Sequence, residues 1–195
     1  MHPVLNNNVF FIKEHVGMFK AANNYDILNP ETGEELIYCR EPNLGFFTKM
    51  FRFSKYKRNT PFEVVLSTPD GQKILTVKRG VSVFVSRVEV LDEKDQLIGL
   101  FKQKFFSFGG RFDLFDAQER PLCTLKGKWH SWDFTFATAD TQFASVSKQW
   151  AGMAKELFTT ADNYILQIEN TVPENHPLRQ LIMASVVVID MVLKE

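Results

Sequence analysis

Residues Leu178–Leu193 read LRQLIMASVVVIDMVL, and the fold turns on how this stretch is enclosed. Pro173 and Pro177 precede it, Asn175 or His176 can serve as N-cap, and Pro177 suits a first helical turn. Its β-branched valines lower helix propensity, so composition alone leaves a strand open. Its sixteen-residue length favours a helix. From Leu181 to Ile189 only Ser185 is polar, so the helix is apolar all round and must lie inside protein or in lipid. Sixteen residues rise about 24 Å, whereas a bilayer core is about 30 Å thick and wants about 20 apolar residues. Arg179 and Asp190 shorten the apolar part further. The arithmetic favours burial inside the protein.

The rest of the chain supplies an enclosure. Candidate strands are Val9–His15, Tyr25–Leu28, Glu35–Arg40, Phe47–Phe53, Phe62–Ser67, Lys73–Lys78 and Ser82–Leu91. Leu97–Gln103, Arg111–Phe115, Leu122–Lys128, Asp133–Ala137, Gln142–Lys148 and Tyr164–Ile168 follow. Turn chemistry separates them, as at Asn29-Pro30-Glu31-Thr32-Gly33 and Thr68-Pro69-Asp70-Gly71. Turn aspartates recur at Asp70, Asp92, Asp116 and Asp140, every 22 to 24 residues, the length of one hairpin in an antiparallel meander. A closed antiparallel barrel of about 12 strands has room for one central helix. The expectation is a mainly β fold of that kind, with 1–195 as a single domain and 178–193 as its central hydrophobic helix.

Length and composition agree. The chain has 195 residues, 45% of them hydrophobic and 24% charged, which suits one globular domain. Lys and Arg total 23, as do Asp and Glu, so net charge is zero and binding nucleic acid through bulk charge is not expected. Phe accounts for 19 residues, a large apolar payload without a polar handle, and many of these should line the barrel. Cys39 and Cys123 form no C-x-x-C pair, which argues against a zinc knuckle or a disulfide framework. MHPVLNNNVFFIKEH has no basic n-region or long apolar run, so no signal peptide is read and a cytoplasmic or peripheral membrane location is expected.

Three C-terminal stretches carry a resemblance: Ser147-Lys148-Gln149-Trp150-Ala151-Gly152, then Glu156-Leu157-Phe158-Thr159 with Ala161-Asp162-Asn163-Tyr164, then Ile189-Asp190-Met191. In order and spacing, and with the terminal apolar helix, they resemble the phospholipid scramblase family. The resemblance implies a tubby-like fold, shared with LURP-one-related proteins, in which twelve strands surround a hydrophobic C-terminal helix. It also implies lipid partners and movement of phospholipid between leaflets, stimulated by calcium in the best-known members. The family's calcium loop maps onto Thr160–Thr171. A calcium loop wants acidic ligands at positions 1, 3 and 5, Gly at 6 and an acid at 12. Here Thr160, Asp162, Tyr164, Ile165 and Thr171 occupy them, so Asp162 and Asn163 read as a degenerate remnant, and no metal or other cofactor is expected. The expected activity is membrane-lipid interaction with calcium-independent phospholipid movement; the alternative is a soluble tubby-like binding or adaptor module.

Phe46–Arg58, FFTKMFRFSKYKR, is the strongest surface candidate. Lys49, Arg52, Lys55, Lys57 and Arg58 alternate with aromatics including Phe46 and Phe47, a pattern suited to anionic headgroups and the membrane interface. It also suits a strand with a solvated basic face, or single-stranded nucleic acid, the least favoured partner. Phe105, Phe106 and Phe108 precede Gly109-Gly110; adjacent strand residues face opposite sides, so one at least points outward unless a bulge packs the row away. Trp129 and Trp132 flank His130-Ser131 and suit barrel-end packing or a membrane interface. The four histidines lack metal-ligand spacing, and no nucleophile elbow or phosphate-binding loop is present, so no enzyme and no small-molecule substrate is read. Asp190 is expected to reach a cation at the barrel mouth or to have a raised pKa.

Overall fold

The computed structural model describes residues 1–14, 24–42, 60–81, 86–104, 111–128, 133–148 and 163–193. Twelve strands are described: β1 (Val9–Glu14), β2 (Tyr25–Leu28), β3 (Glu35–Arg40), β4 (Phe62–Ser67), β5 (Lys73–Arg79) and β6 (Arg87–Asp92) form the first half. β7 (Leu97–Gln103), β8 (Arg111–Asp116), β9 (Pro121–Lys128), β10 (Asp133–Ala137), β11 (Gln142–Ser147) and β12 (Asn163–Ile168) complete it. Each pairs antiparallel with its chain neighbours, and β12 returns to β1, with Phe10 opposite Leu166 and Ile12 opposite Tyr164. Closure leaves no open edge among the described strands to template aggregation. The expected barrel is the one observed. The expected strand Phe47–Phe53 lies outside the described residues, and the expected strand from Ser82 is described only from Arg87 onward.

Alternation decides which side chains face the axis. On β4, Phe62, Val64 and Leu66 are buried while Glu63 is exposed. Phe10, Phe101, Phe112, Phe134 and Phe136 are fully buried, so these phenylalanines do line the barrel. Phe101 and Phe112 meet edge to face at 6.3 Å, across the β7–β8 ladder.

The axis is filled by α1 (Leu178–Val188), extended by a π-helical turn over Ile189–Leu193. Every residue of α1 is buried, as an apolar surface on all sides requires. Pro177 is already helical in φ and ψ, and the cap comes from one residue earlier: His176 Nδ1 accepts the Leu178 N–H at 3.2 Å. Gly99 on β7 lets the helix approach, since a Cβ there would lie 2.9 Å from Leu181 Cδ1 and 2.5 Å from the Phe115 carbonyl oxygen.

Arg179 ties off the barrel at the helix N-terminus. Its guanidinium is buried, yet every N–H finds an oxygen: the carbonyls of Leu5, Asn7, Val172 and Pro173, and Asn8 Oδ1, at 2.7–3.1 Å. The N-terminal 3-10 turn, Pro3–Asn6, is thereby fastened to the segment that enters the helix.

Candidate functional site

An antiparallel meander sorts its connections into two groups. The turns 29–34, 68–72, 92–96, 116–120 and 138–141, with the segment 169–177, all lie at one end of the barrel. The connections from β1 to β2, β3 to β4, β5 to β6, β7 to β8, β9 to β10 and β11 to β12 all belong to the other. Charge divides the same way. The first group carries Glu31, Glu34, Asp70, Asp92, Glu93, Asp95, Asp116, Glu119, Asp140, Glu169 and Glu174 against Lys94 and Arg120, with Lys73 paired to Asp95 and both Arg87 and Lys102 paired to Glu119. At the second end the strands terminate in Arg40, Arg79, Arg111 and Lys128, and in Arg87, whose guanidinium reaches back to Glu119, against Glu14 and Asp133. Among the described residues that continue from these strand ends, Lys104 and Lys148 add to them, against Glu41. A chain of zero net charge is therefore acidic at one end and basic at the other.

The acidic end is built by turn chemistry. Asp92 Oδ1 accepts the amides of Lys94 and Gln96, both at 2.8 Å, and Asp116 Oδ1 accepts those of Gln118 and Arg120, both at 2.9 Å. These bonds favour the ionised form and draw the Asp116 carboxyl below its usual range, against the opposing effect of desolvation. The Glu119 carboxyl is lowered too, by hydrogen bonds from Lys102 and Arg87.

The basic end has a buried polar interior. Arg79 donates to the Thr60 carbonyl at 2.7 Å and to Ser86 Oγ at 3.1 Å, and stacks over the Phe62 ring at 4.9 Å. Arg40 pairs with the buried Asp26 at 2.5 Å and donates to the Tyr25 carbonyl at 2.7 Å. Inside the barrel, Tyr25 Oη donates to Asp190 Oδ2. A phenol on β2 is thus one hydrogen-bond partner of Asp190. Burial and the nearby Asp190 carboxylate push the phenols of Tyr25 and Tyr164 well above their ordinary range.

Of the residues singled out from sequence, Lys49, Arg52, Lys55, Lys57, Arg58, Phe46 and Phe47 lie outside the described residues, in the β3–β4 connection. Phe105, Phe106 and Phe108 also lie outside them, in the β7–β8 connection. Asp162, Trp129, His130 and Trp132 are likewise outside the described residues, while Asn163 is buried and opens β12 opposite Lys13. Residues 163–168 of the stretch compared with a calcium loop are extended strand, laddered to β1 and β11.

A family model described as Scramblase matches residues 10–195. The chain belongs to the scramblase family. It is 26% identical over 188 residues to a phospholipid scramblase family protein of Schizosaccharomyces pombe, covering 89% of this chain and 49% of that one. It is 24% identical over 192 residues to altered inheritance rate of mitochondria protein 25 of Saccharomyces cerevisiae, covering 86% of this chain and 58% of that one. Phospholipid scramblase family member 5 of Homo sapiens is 21% identical over 164 residues, covering 76% and 58%. The chain thus spans about half the length of the curated relatives it matches. A crystal structure of an Arabidopsis thaliana protein superposes with a TM-score of 0.55 at 16% identity, over 95% of this chain and 92% of that one, which establishes a shared tubby-like fold. Among the described residues of this scramblase-family chain, no helix is long and apolar enough to cross a membrane.

Proposed function

We propose that this chain binds membrane lipid as a peripheral domain, with the basic end of the barrel on an anionic surface and the acidic turns facing solvent. The observation that carries this reading is the division of charge between the barrel ends. A Lys or Arg near an anionic surface contributes about 1 kcal/mol, and the attraction fades within a Debye length. A neutral protein with separated charge is oriented by such a surface without being drawn to it from every side. Family membership supports lipid as the partner.

Co-sedimentation tests the reading. The protein should pellet with phosphatidylserine-containing vesicles, remain in solution with phosphatidylcholine alone, and dissociate from the anionic vesicles at high salt. Chelating calcium should change nothing. Protein that stays in the supernatant with anionic vesicles at low salt overturns it.

Calcium-independent movement of phospholipid between leaflets is the finer reading, and it draws on family membership. A helix buried on every side cannot meet the bilayer unless the barrel opens, so movement would follow the outer surface. Bleaching of labelled lipid in vesicles reconstituted with the chain, with and without calcium, decides it; no acceleration in either condition removes the activity.

A further inference from the structure

We propose that the groove on the outer face of β8 and β9 seats one anionic phospholipid, holding its phosphate at one end and the first carbons of an acyl chain at the other. This rests on the lipid-binding reading and names the ligand of a particular surface: a lipid lifted out of the bilayer, with its phosphate nearest the basic end and its acyl carbons directed toward the acidic turns. The groove has a volume of about 520 Å³ and runs along the outer face between Lys104 and the β10–β11 turn.

Its cationic end is built by strand register. Arg111 on β8 lies directly opposite Lys126 on β9, and like charges facing each other across a ladder repel. Lys104 Nζ stands 3.0 Å from Asp113 Oδ2, and Arg111 Nε stands 3.8 Å from Asp113 Oδ1. Thr124 Oγ1 donates to the same Oδ1 at 3.1 Å. Two cations thus flank one carboxylate and a third, Lys126, faces Arg111 across the ladder, so the excess charge is positive. Arg111 Nε is shielded from solvent and has no hydrogen-bond acceptor among the described residues. The Arg111 side chain as a whole is 43% exposed, so a phosphate supplies a counter-charge shared by the outer part of its guanidinium and Lys126.

The other end is apolar. Phe115, Pro121, Leu122 and Ala139 line it, and Lys102 Nζ caps the Phe115 ring at 4.7 Å. Four residues of rise from Arg111 to Phe115 separate the two ends by about 13 Å. Free phosphate would use only the first end. An amphiphile uses both, with its charged and apolar parts in the order the groove presents them.

The probe is dihexanoyl phosphatidic acid below its micellar concentration, titrated calorimetrically into the full chain. One saturable site is expected. Arg111→Gln and Lys126→Gln should each weaken binding about tenfold, the loss of one charge-assisted contact. Lys126 is exposed, so its variant should keep the wild-type melting temperature. Lys94→Gln, in the β6–β7 turn, removes the same charge and should leave affinity unchanged. Leu122→Asp should weaken the lipid and spare any binding of inorganic phosphate. Inorganic phosphate binding as tightly as the lipid overturns the proposal, as does Lys94→Gln matching Lys126→Gln. Chain that binds anionic vesicles but not the short lipid removes the groove and leaves the membrane reading standing. Chain that binds the short lipid but no vesicle removes the membrane reading and keeps the groove.

Discussion

Arg179 is a buried guanidinium satisfied by five backbone and side-chain oxygens, which makes it a fastener between the N-terminal segment and the helix entry. Replacing it with Leu leaves those oxygens without their donors inside the protein, and stability should fall by about 3–5 kcal/mol. Arg179→Lys should recover little, because an ammonium cannot reproduce the fork. Urea unfolding midpoints check both; a loss under 1 kcal/mol for Arg179→Leu would show that water replaces the guanidinium. A second residue-level prediction concerns alkali. Burial pushes the Cys123 thiol up to about 12, and raises Cys39, Tyr25 and Tyr164 as well. Unfolded thiols ionise near pH 8.5 and phenols near 10, while the folded state keeps these protons. The unfolded state then binds fewer protons, so stability falls with rising pH. Between pH 8 and 11 the urea midpoint should drop steadily. A flat profile across that window would show that these groups ionise equally in both states.

At the scale of elements, the helix and β7 are in contact because Gly99 has no side chain. Gly99→Ala places a methyl against the Phe115 carbonyl and Leu181 together, so strand and helix cannot both keep their positions. A cost of about 1–3 kcal/mol is expected, seen as a lowered melting temperature, and an unchanged melting temperature would mean that Leu181 repacks freely. Hydrophobic period made most of these elements legible in sequence. Phe62-Glu63-Val64 alternates as a half-buried strand must, and Leu181–Ile189 lacks the polar stripe of a surface helix. The turns were legible through Asp92 and Asp116, whose side chains close their own hairpins. The Tyr25–Asp190 hydrogen bond was not. Tyr25 is 165 positions away, and only barrel closure brings β2 to the helix C-terminus. The groove was hidden for the same reason: Arg111 and Lys126 read as separate surface charges until the β8–β9 register sets them face to face.

For the whole molecule, zero net charge in sequence concealed a polarity that only topology displays. The meander alternates its connections between two ends, so an acid-rich turn every second connection becomes an acidic face. That face should not touch the membrane, which gives a test of orientation as well as of binding. Lys128→Gln and Lys148→Gln, at the basic end, should each lower affinity for phosphatidylserine vesicles roughly fivefold, as about 1 kcal/mol per cation implies. Glu31→Gln and Asp140→Asn change the net charge in the opposite sense but lie at the far end of the barrel. If the whole-molecule charge governed binding, these acidic-end variants would tighten it by a similar factor. If the basic end alone meets the surface, they leave it unchanged, because a barrel length exceeds the Debye length of about 8 Å at physiological salt. Measured by co-sedimentation at two ionic strengths, the pair of outcomes separates an oriented domain from a generally sticky one. Equal and opposite effects at the two ends would overturn the orientation.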